Sequence, residues 1–419
     1  MKILQDIITE IINPESLVEP FNFKKYIDNV FKFSGIHSLL YTKKYEPIPN
    51  KILHLTDTLF DKNGASVSLA YQLKYIQKNN IACDYLICKK DVDPQPHLYV
   101  VQPVVKLSKR YVDLNFPNIT DIIEIFYREK YDRVICSTEG PMASMALYLK
   151  QIFKIPAYFF IHTDWLEYIN SNSNFSNKAL EQNISLKSFK FLYSQFDKIF
   201  VLNTDNRDYL IRKMDISKKK IYLTSYFSIP PLKNIPSLER NKFFPDSDTR
   251  AILFLACRLS REKGIFDIPK ILKRARKKIP HLKIVIAGAG PDEKKLRKKI
   301  DSGAYFLGWV AKEQLAKMYK NLDLFVFPSR FDTFGNVLLE AFSYGMPAIS
   351  YNSKGPKDII QHNKNGYLVE NWKDMADKII DFFENAETRK RMRQEAKKRI
   401  QYYEEKIVMK KYLKNLGVI

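Results

Sequence analysis

Short, uninterrupted apolar runs alternate with helix-period segments along most of this 419-residue chain, and few folds accommodate that rhythm. A strand that is apolar on both faces must be covered on both faces. This predicts an α/β class with parallel sheets and helices packed on each side. In the first half, the runs at 51–57, 82–88, 133–137, 157–161 and 198–202 read as buried strands, with helices such as 65–79 and 141–153 between them. Residues 224–250 break the rhythm with four prolines and many polar residues, as a connection between domains does. The rhythm restarts at 251–257, 283–287, 304–307, 323–327, 347–350 and 366–369. Helices over 371–384, 386–400 and 403–416 close the chain. The expectation is two doubly wound domains of similar size, 51–228 and 229–400, with a cleft between them. An extension, 1–50, is expected to pack on the first domain, and a last helix within 401–419 can cross back to it. In that extension Ile3, Leu4, Ile7, Ile8, Ile11 and Ile12 share one helical face, opposite Asp6 and Glu10.

Composition narrows the functional classes. No apolar run reaches the length of a membrane-spanning helix, and the start of the chain lacks the apolar core of a secretory signal. The cysteines Cys83, Cys88, Cys136 and Cys257 lie mostly inside strand-like runs, as buried thiols of a reducing compartment do. The histidines lack ligand spacing, so no metal is expected. The net charge of +23 calls for an acidic partner: nucleic acid, an anionic membrane or a phosphorylated substrate. Much of it lies in 251–300, which holds 15 Lys/Arg and four Asp/Glu. There Ile268, Ile271, Leu272, Ala275 and Ile279 face inward, and Leu296 sits among the lysines of 292–300. That pattern is a solvated basic face or a surface for an anionic membrane.

The chemistry concentrates in 323–360. A buried strand ends at Pro328-Ser329, a polar loop follows, and a helix opens after Gly335, at about Asn336. The free N–H groups at such a helix start attract anions. Asp332 precedes the turn and Glu340 follows it by about two helical turns; carboxylates suit hydroxyl donors. An anion site flanked by two carboxylates fits a ligand with phosphates in the middle and polyols at both ends, such as a nucleotide sugar. A second cluster, Ala256-Cys-Arg-Leu-Ser-Arg-Glu-Lys-Gly264, places Arg258 and Lys263 between a strand end and a helix, where two cations can neutralise a diphosphate.

Asp332-x7-Glu340, within Asp-Thr-Phe-Gly-Asn-Val-x-x-Glu-Ala-x-x-x-Gly-x-Pro, resembles the Glu-x7-Glu pattern of the retaining glycosyltransferases of family 4, the group 1 glycosyl transferases. The resemblance implies the GT-B fold, two Rossmann-like domains facing a cleft. The family usually carries Glu at the first position. Residues 257–264 are similar to its Gly-Arg-Leu-x-x-x-Lys-Gly pattern, with Cys257 in place of the glycine. Ile286 to Glu293, Phe306-Leu-Gly-Trp-Val and Asn365-Gly366 resemble further turns of the same frame. By this resemblance, Asp332 holds donor-sugar hydroxyls and Glu340 the ribose diol. Arg258 and Lys263 hold the diphosphate, and Phe334, Gly335, Asn336 and Val337 line the donor around the helix start. In the first half, His162 and Asp164 at the end of the 157–161 strand, and the Asn63-Gly64 turn after the first strand, resemble the acceptor-side loops, with His162 and Gly64 beside the donor.

The implied activity is a retaining hexosyl transfer from a nucleotide-diphosphate sugar, a co-substrate, to a saccharide or lipid-linked acceptor, with no cofactor and no metal. Asp246-Ser-Asp248 imitates a metal-binding Asp-x-Asp but follows no apolar strand, and reads as a loop. The expected place is the cytoplasm, including the inner face of the membrane. Two other readings stay open: a GT-B nucleotide-sugar epimerase, and a basic nucleic-acid-binding protein. The sequence carries no zinc-finger, RRM or basic-zipper signature for the latter, so nucleic acid is not an expected partner.

Overall fold

A computed structural model of the chain describes residues 45–61, 63–108, 114–164, 178–245, 250–300 and 303–419. The helix expected over 2–12 and the Asp246-Ser-Asp248 stretch lie outside the described residues. Two compact units emerge. Of the described residues, one comprises those up to Leu202 with Asn206–Thr224 and Met409–Ile419, the other Asn203–Asp205 with those of Ser225–Val408.

The first unit is built on β1 (Ile48–Leu55), α1 (Gly64–Asn79), β2 (Cys83–Cys88), β3 (Leu98–Val101), the antiparallel pair β4 (Pro103–Ser108) and β5 (Leu114–Pro117), and α2 (Ile119–Glu129). It continues with β6 (Tyr131–Cys136), α3 (Pro141–Phe153), β7 (Ala157–Ile161), α4 (Lys178–Ser194), β8 (Lys198–Val201), α5 (Thr204–Arg212) and β9 (Ile221–Leu223). Seven strands pair in parallel in the order β3-β2-β1-β6-β7-β8-β9. The order reverses between β1 and β6, and in open α/β sheets ligands bind at the carboxyl ends of the strands beside such a reversal. The end of the chain packs here. Arg133 Nη1 donates to Leu416 O and Lys198 Nζ to Asn415 O, both at 2.7 Å, and the Tyr412 ring lies 5.6 Å from Phe160 and 5.5 Å from Phe200.

The second unit repeats the plan with β10 (Ile252–Ala256), α6 (Ile268–Ala275), β11 (Lys283–Ala287), α7 (Glu293–Arg297), β12 (Ala304–Gly308), α8 (Lys312–Asn321) and β13 (Leu324–Phe327). There follow α9 (Asn336–Ser343), β14 (Ala348–Tyr351), α10 (Lys354–Ile359), β15 (Gly366–Val369), α11 (Trp372–Glu384) and α12 (Ala386–Ile400); most of the last helix, α13 (Glu405–Leu416), belongs to the first unit. Its six parallel strands run β12-β11-β10-β13-β14-β15, with the reversal between β10 and β13. Leu253, Leu255, Ile284, Ile286, Leu324 and Val326 are fully buried beneath α6 and α11, while Phe254 and Phe325 pack on Tyr319. Burying each such side chain contributes roughly 1.5–3 kcal/mol, which fixes strands too short to be stable alone. As the periodicity predicts, α6 buries Ile268, Ile271, Leu272 and Ala275, and α7 buries Leu296.

Candidate functional site

In the second unit the reversal sets the loop after β10 against the loop after β13, and the two sequence clusters meet there. Hydrogen bonds hold the first loop to its neighbour after β11: Cys257 N donates to Ala287 O (3.1 Å), Leu259 N to Ala289 O (3.0 Å), Asp292 N to Leu259 O (3.0 Å) and Arg261 N to Asp292 Oδ2 (3.0 Å). Gly264 ends the loop with φ +68°, and a Cβ there would lie 1.9 Å from Pro328 O. Only glycine tolerates both the left-handed backbone and that approach. The contact presses the Lys263 loop onto the end of β13. Lys263 Nζ then donates to Asp332 Oδ1 at 2.7 Å, across 69 residues of sequence. The Lys263 side chain is 24% exposed and that of Asp332 18%. Burial works against the Lys263 charge, but Asp332 outweighs it and lifts the ammonium above its ordinary pKa. Asp332 Oδ2 is buried and accepts no hydrogen bond among the described residues.

Arg258 Nη2 donates to Glu262 Oε1 at 2.7 Å, and Ser260 Oγ donates to the same oxygen. Burial raises the Glu262 pKa, but the Ser260 and Arg258 contacts more than offset it, so this carboxylate sits below its ordinary value. Arg258 and Lys263 are therefore both held on acids.

After Asp332 the chain turns through Gly335, at φ +94°, into α9. The turn is backed on two sides: Gly355 N donates to Asp332 O (3.2 Å), and Asn203 Nδ2, from the stretch Asn203–Asp205 of this unit, to Thr333 O (2.6 Å). Asn336 and Val337 occupy the first turn of α9 and are part-exposed. Phe334 differs: its ring is buried against Tyr226 (5.1 Å) and Tyr403 (6.1 Å), so what it can offer a ligand is backbone. Glu340 projects from the second turn, and Tyr319 Oη donates to its Oε2 at 3.0 Å. Burial raises the Glu340 pKa, while the Tyr319 hydrogen bond and the Lys312 charge oppose that rise.

In the first unit the carboxyl ends of β1, β6 and β7 carry a mostly buried polar group. His54 shares a hydrogen bond between Nε2 and Ser137 Oγ. His162, just past β7, is 5% exposed and lies 4.0 Å, ring to ring, from Phe160. Burial, assisted by His54, keeps His162 neutral, and burial alone holds His54 at about 3. Asp164 follows, part-exposed. Asn63 is the N-cap of α1: its Oδ1 accepts from Ser66 N at 2.8 Å and its Nδ2 donates to Thr58 Oγ1 at 3.1 Å. Gly64 is the first residue of that helix.

The sequence did not point to Asp57, Glu262, Tyr319 or Asn203, nor to His54 or Ser260. Asp57 has a definable task. The N-cap of α3 is Gly140, which has no side chain to cap with, and Asp57 receives the Met142 N–H instead, at 3.4 Å. Thr138 Oγ1 donates to the same carboxylate. Burial pushes the Asp57 pKa up to about 7, against the pull of Thr138, the Met142 N–H and Lys89. A carboxyl whose pKa is higher folded than unfolded costs stability as pH rises from its unfolded value to its folded one. Asp57→Asn removes that cost. The melting temperature of the variant minus that of the wild type should grow between pH 4 and pH 7 and level off above; a difference that stays constant with pH refutes the ionisation argument.

Comparisons with known proteins fit this geometry. The family model "Glycosyltransferase Family 4" matches residues 62–225, and "Glycosyl transferases group 1" matches residues 237–399. The chain is 32% identical over 148 residues to a GDP-mannose-dependent alpha-mannosyltransferase of Corynebacterium glutamicum, covering 35% of this chain and 32% of the relative. It is 25% identical over 279 residues to the alpha-monoglucosyldiacylglycerol synthase of Acholeplasma laidlawii, covering 62% and 68% respectively. The chain thus spans about a third of the mannosyltransferase and two thirds of the synthase. Among solved structures, the sucrose-phosphate synthase of Thermosynechococcus elongatus aligns with a TM-score of 0.70 at 16% identity, over 87% of this chain and 99% of that one. HepE of Anabaena in complex with UDP and glucose aligns with a TM-score of 0.67 at 15% identity, over 88% and 100%. The architecture they share with this chain is GT-B.

Proposed function

The chain belongs to the group 1 glycosyl transferases, with the GT-B fold, and from that premise we propose that it moves a hexosyl group from a nucleotide-diphosphate sugar to a saccharide or lipid-linked acceptor, with retention at the anomeric carbon. One observation carries the reading: two cations, Arg258 and Lys263, stand at the strand-order reversal beside a helix start, with Asp332 and Glu340 on either side of that start. In this reading Glu340 accepts from the ribose hydroxyls and Asp332 from the sugar. Arg258, Lys263 and the N–H groups at the start of α9 receive the diphosphate.

Retention follows a front-face route. The bond from the anomeric carbon to the diphosphate oxygen breaks, and the bond to the acceptor oxygen forms on the same face. The acceptor's proton passes to the departing diphosphate oxygen. Catalysis then rests on stabilising the negative charge that develops on the leaving group, a task for preorganised cations and N–H dipoles. A neutral His162 can donate a hydrogen bond without adding charge. Because side-chain cations neutralise the diphosphate, turnover needs no divalent metal.

The test needs no acceptor. Incubated with UDP-, GDP- and ADP-sugars in excess EDTA, the enzyme should slowly hydrolyse one of them. Proton NMR should find the first-formed free sugar in the donor's own anomeric configuration. An epimerised nucleotide sugar, an inverted product or loss of activity in EDTA contradicts the proposal.

A further inference from the structure

We propose that Asp332 acts as the internal counter-ion of Lys263 and promotes release of the nucleoside diphosphate once the sugar has left. The inference rests on the reading that Lys263 holds the diphosphate. The Lys263 ammonium already has an anion: it is paired with Asp332 at 2.7 Å, and both side chains are largely buried. An arriving diphosphate must share or take that ammonium, and it brings its own negative charge up to the Asp332 carboxylate. Like charges this close oppose each other.

A sugar-bearing donor offsets the repulsion, because its hydroxyls can donate to Asp332. The Asp332 side chain is 18% exposed, so the carboxylate can be reached, and its Oδ2 accepts no hydrogen bond among the described residues. After transfer the hydroxyls are gone. The bare diphosphate then faces Asp332 uncompensated, and Lys263 returns to its ion pair. One carboxylate thus favours the nucleotide sugar over the nucleoside diphosphate and limits inhibition by product. Gly264 supports the device by fixing the loop that carries Lys263 against Pro328.

The experiment measures Kd for UDP, GDP and ADP by titration calorimetry, with wild type, Asp332→Asn, Asp332→Glu and Lys263→Ala. The diphosphate that binds the wild type should bind Asp332→Asn roughly tenfold or more tightly, while turnover of the matching nucleotide sugar falls. Asp332→Glu should return diphosphate affinity toward the wild-type value. Misfolding lowers binding and turnover together, whereas the proposal requires opposite signs. Equal or weaker diphosphate binding by Asp332→Asn overturns it, provided Lys263→Ala weakens the wild-type affinity. If Lys263→Ala changes nothing, or no diphosphate binds the wild type, the assignment of Lys263 fails, and the inference fails with it.

Discussion

Replacing Lys263 by alanine should lower sugar transfer by about 10²–10³-fold in kcat, the usual effect of deleting one group that stabilises developing charge in a water-poor site. The ammonium lies where two loops converge, and it is held there by structure. Gly264 fits under Pro328 O, and Ser260 and Glu262 shape the preceding turn. The substitution also leaves Asp332 without its counter-ion. Both side chains keep some contact with water, so the loss of stability should be modest, a small fall in melting temperature with an unchanged circular dichroism spectrum. Transfer at the wild-type rate rules Lys263 out of the reaction.

Glu340→Ala should act on binding. A carboxylate that accepts from both ribose hydroxyls makes two charge-assisted hydrogen bonds, each about 1.5–3 kcal/mol. Their loss should raise the donor KM on the order of 10²–10⁴-fold, with a smaller change in kcat. The fold should tolerate the change, because burial already disfavours the ionised Glu340. A donor with a 2′-deoxyribose supplies the control. It should bind the wild type poorly and lose far less on mutation. Equal losses for both donors refute contact with the ribose.

Much of this was legible in the sequence, for a physical reason. Strands buried on both faces leave an unbroken apolar run, so 157–161, 283–287 and 366–369 read to the residue. Leu98–Val101 and Ile221–Leu223 gave no such signal, because they are edge strands of only four and three residues, in which Tyr99, Val100 and all of Ile221–Leu223 are part-exposed. The antiparallel pair begins at Pro103 and ends at Pro117, which mask its strand character. At the site, residue types and spacing pointed to Arg258, Lys263, Asp332 and Glu340. They could not show that Lys263 and Asp332 pair, since that depends on β10 lying beside β13. Tyr319 escaped notice because a tyrosine on an amphipathic helix looks like core. It is core, and its hydroxyl alone reaches Glu340. Phe334 looked like a ligand contact because of its neighbours in sequence, yet its ring completes an aromatic cluster with Tyr226 and Tyr403. Asp57 is explained only by the bare glycine N-cap of a helix more than 80 residues away.

The central claim is that the loops after β10 and β13, with α9, form a nucleotide-sugar diphosphate site. Its most direct test is a titration of UDP, GDP and ADP into the wild type, Lys263→Ala and Glu340→Ala. At least one diphosphate should bind the wild type, and each substitution should weaken that same ligand by an order of magnitude or more. Binding that survives both substitutions unchanged would place the nucleotide elsewhere and contradict the account.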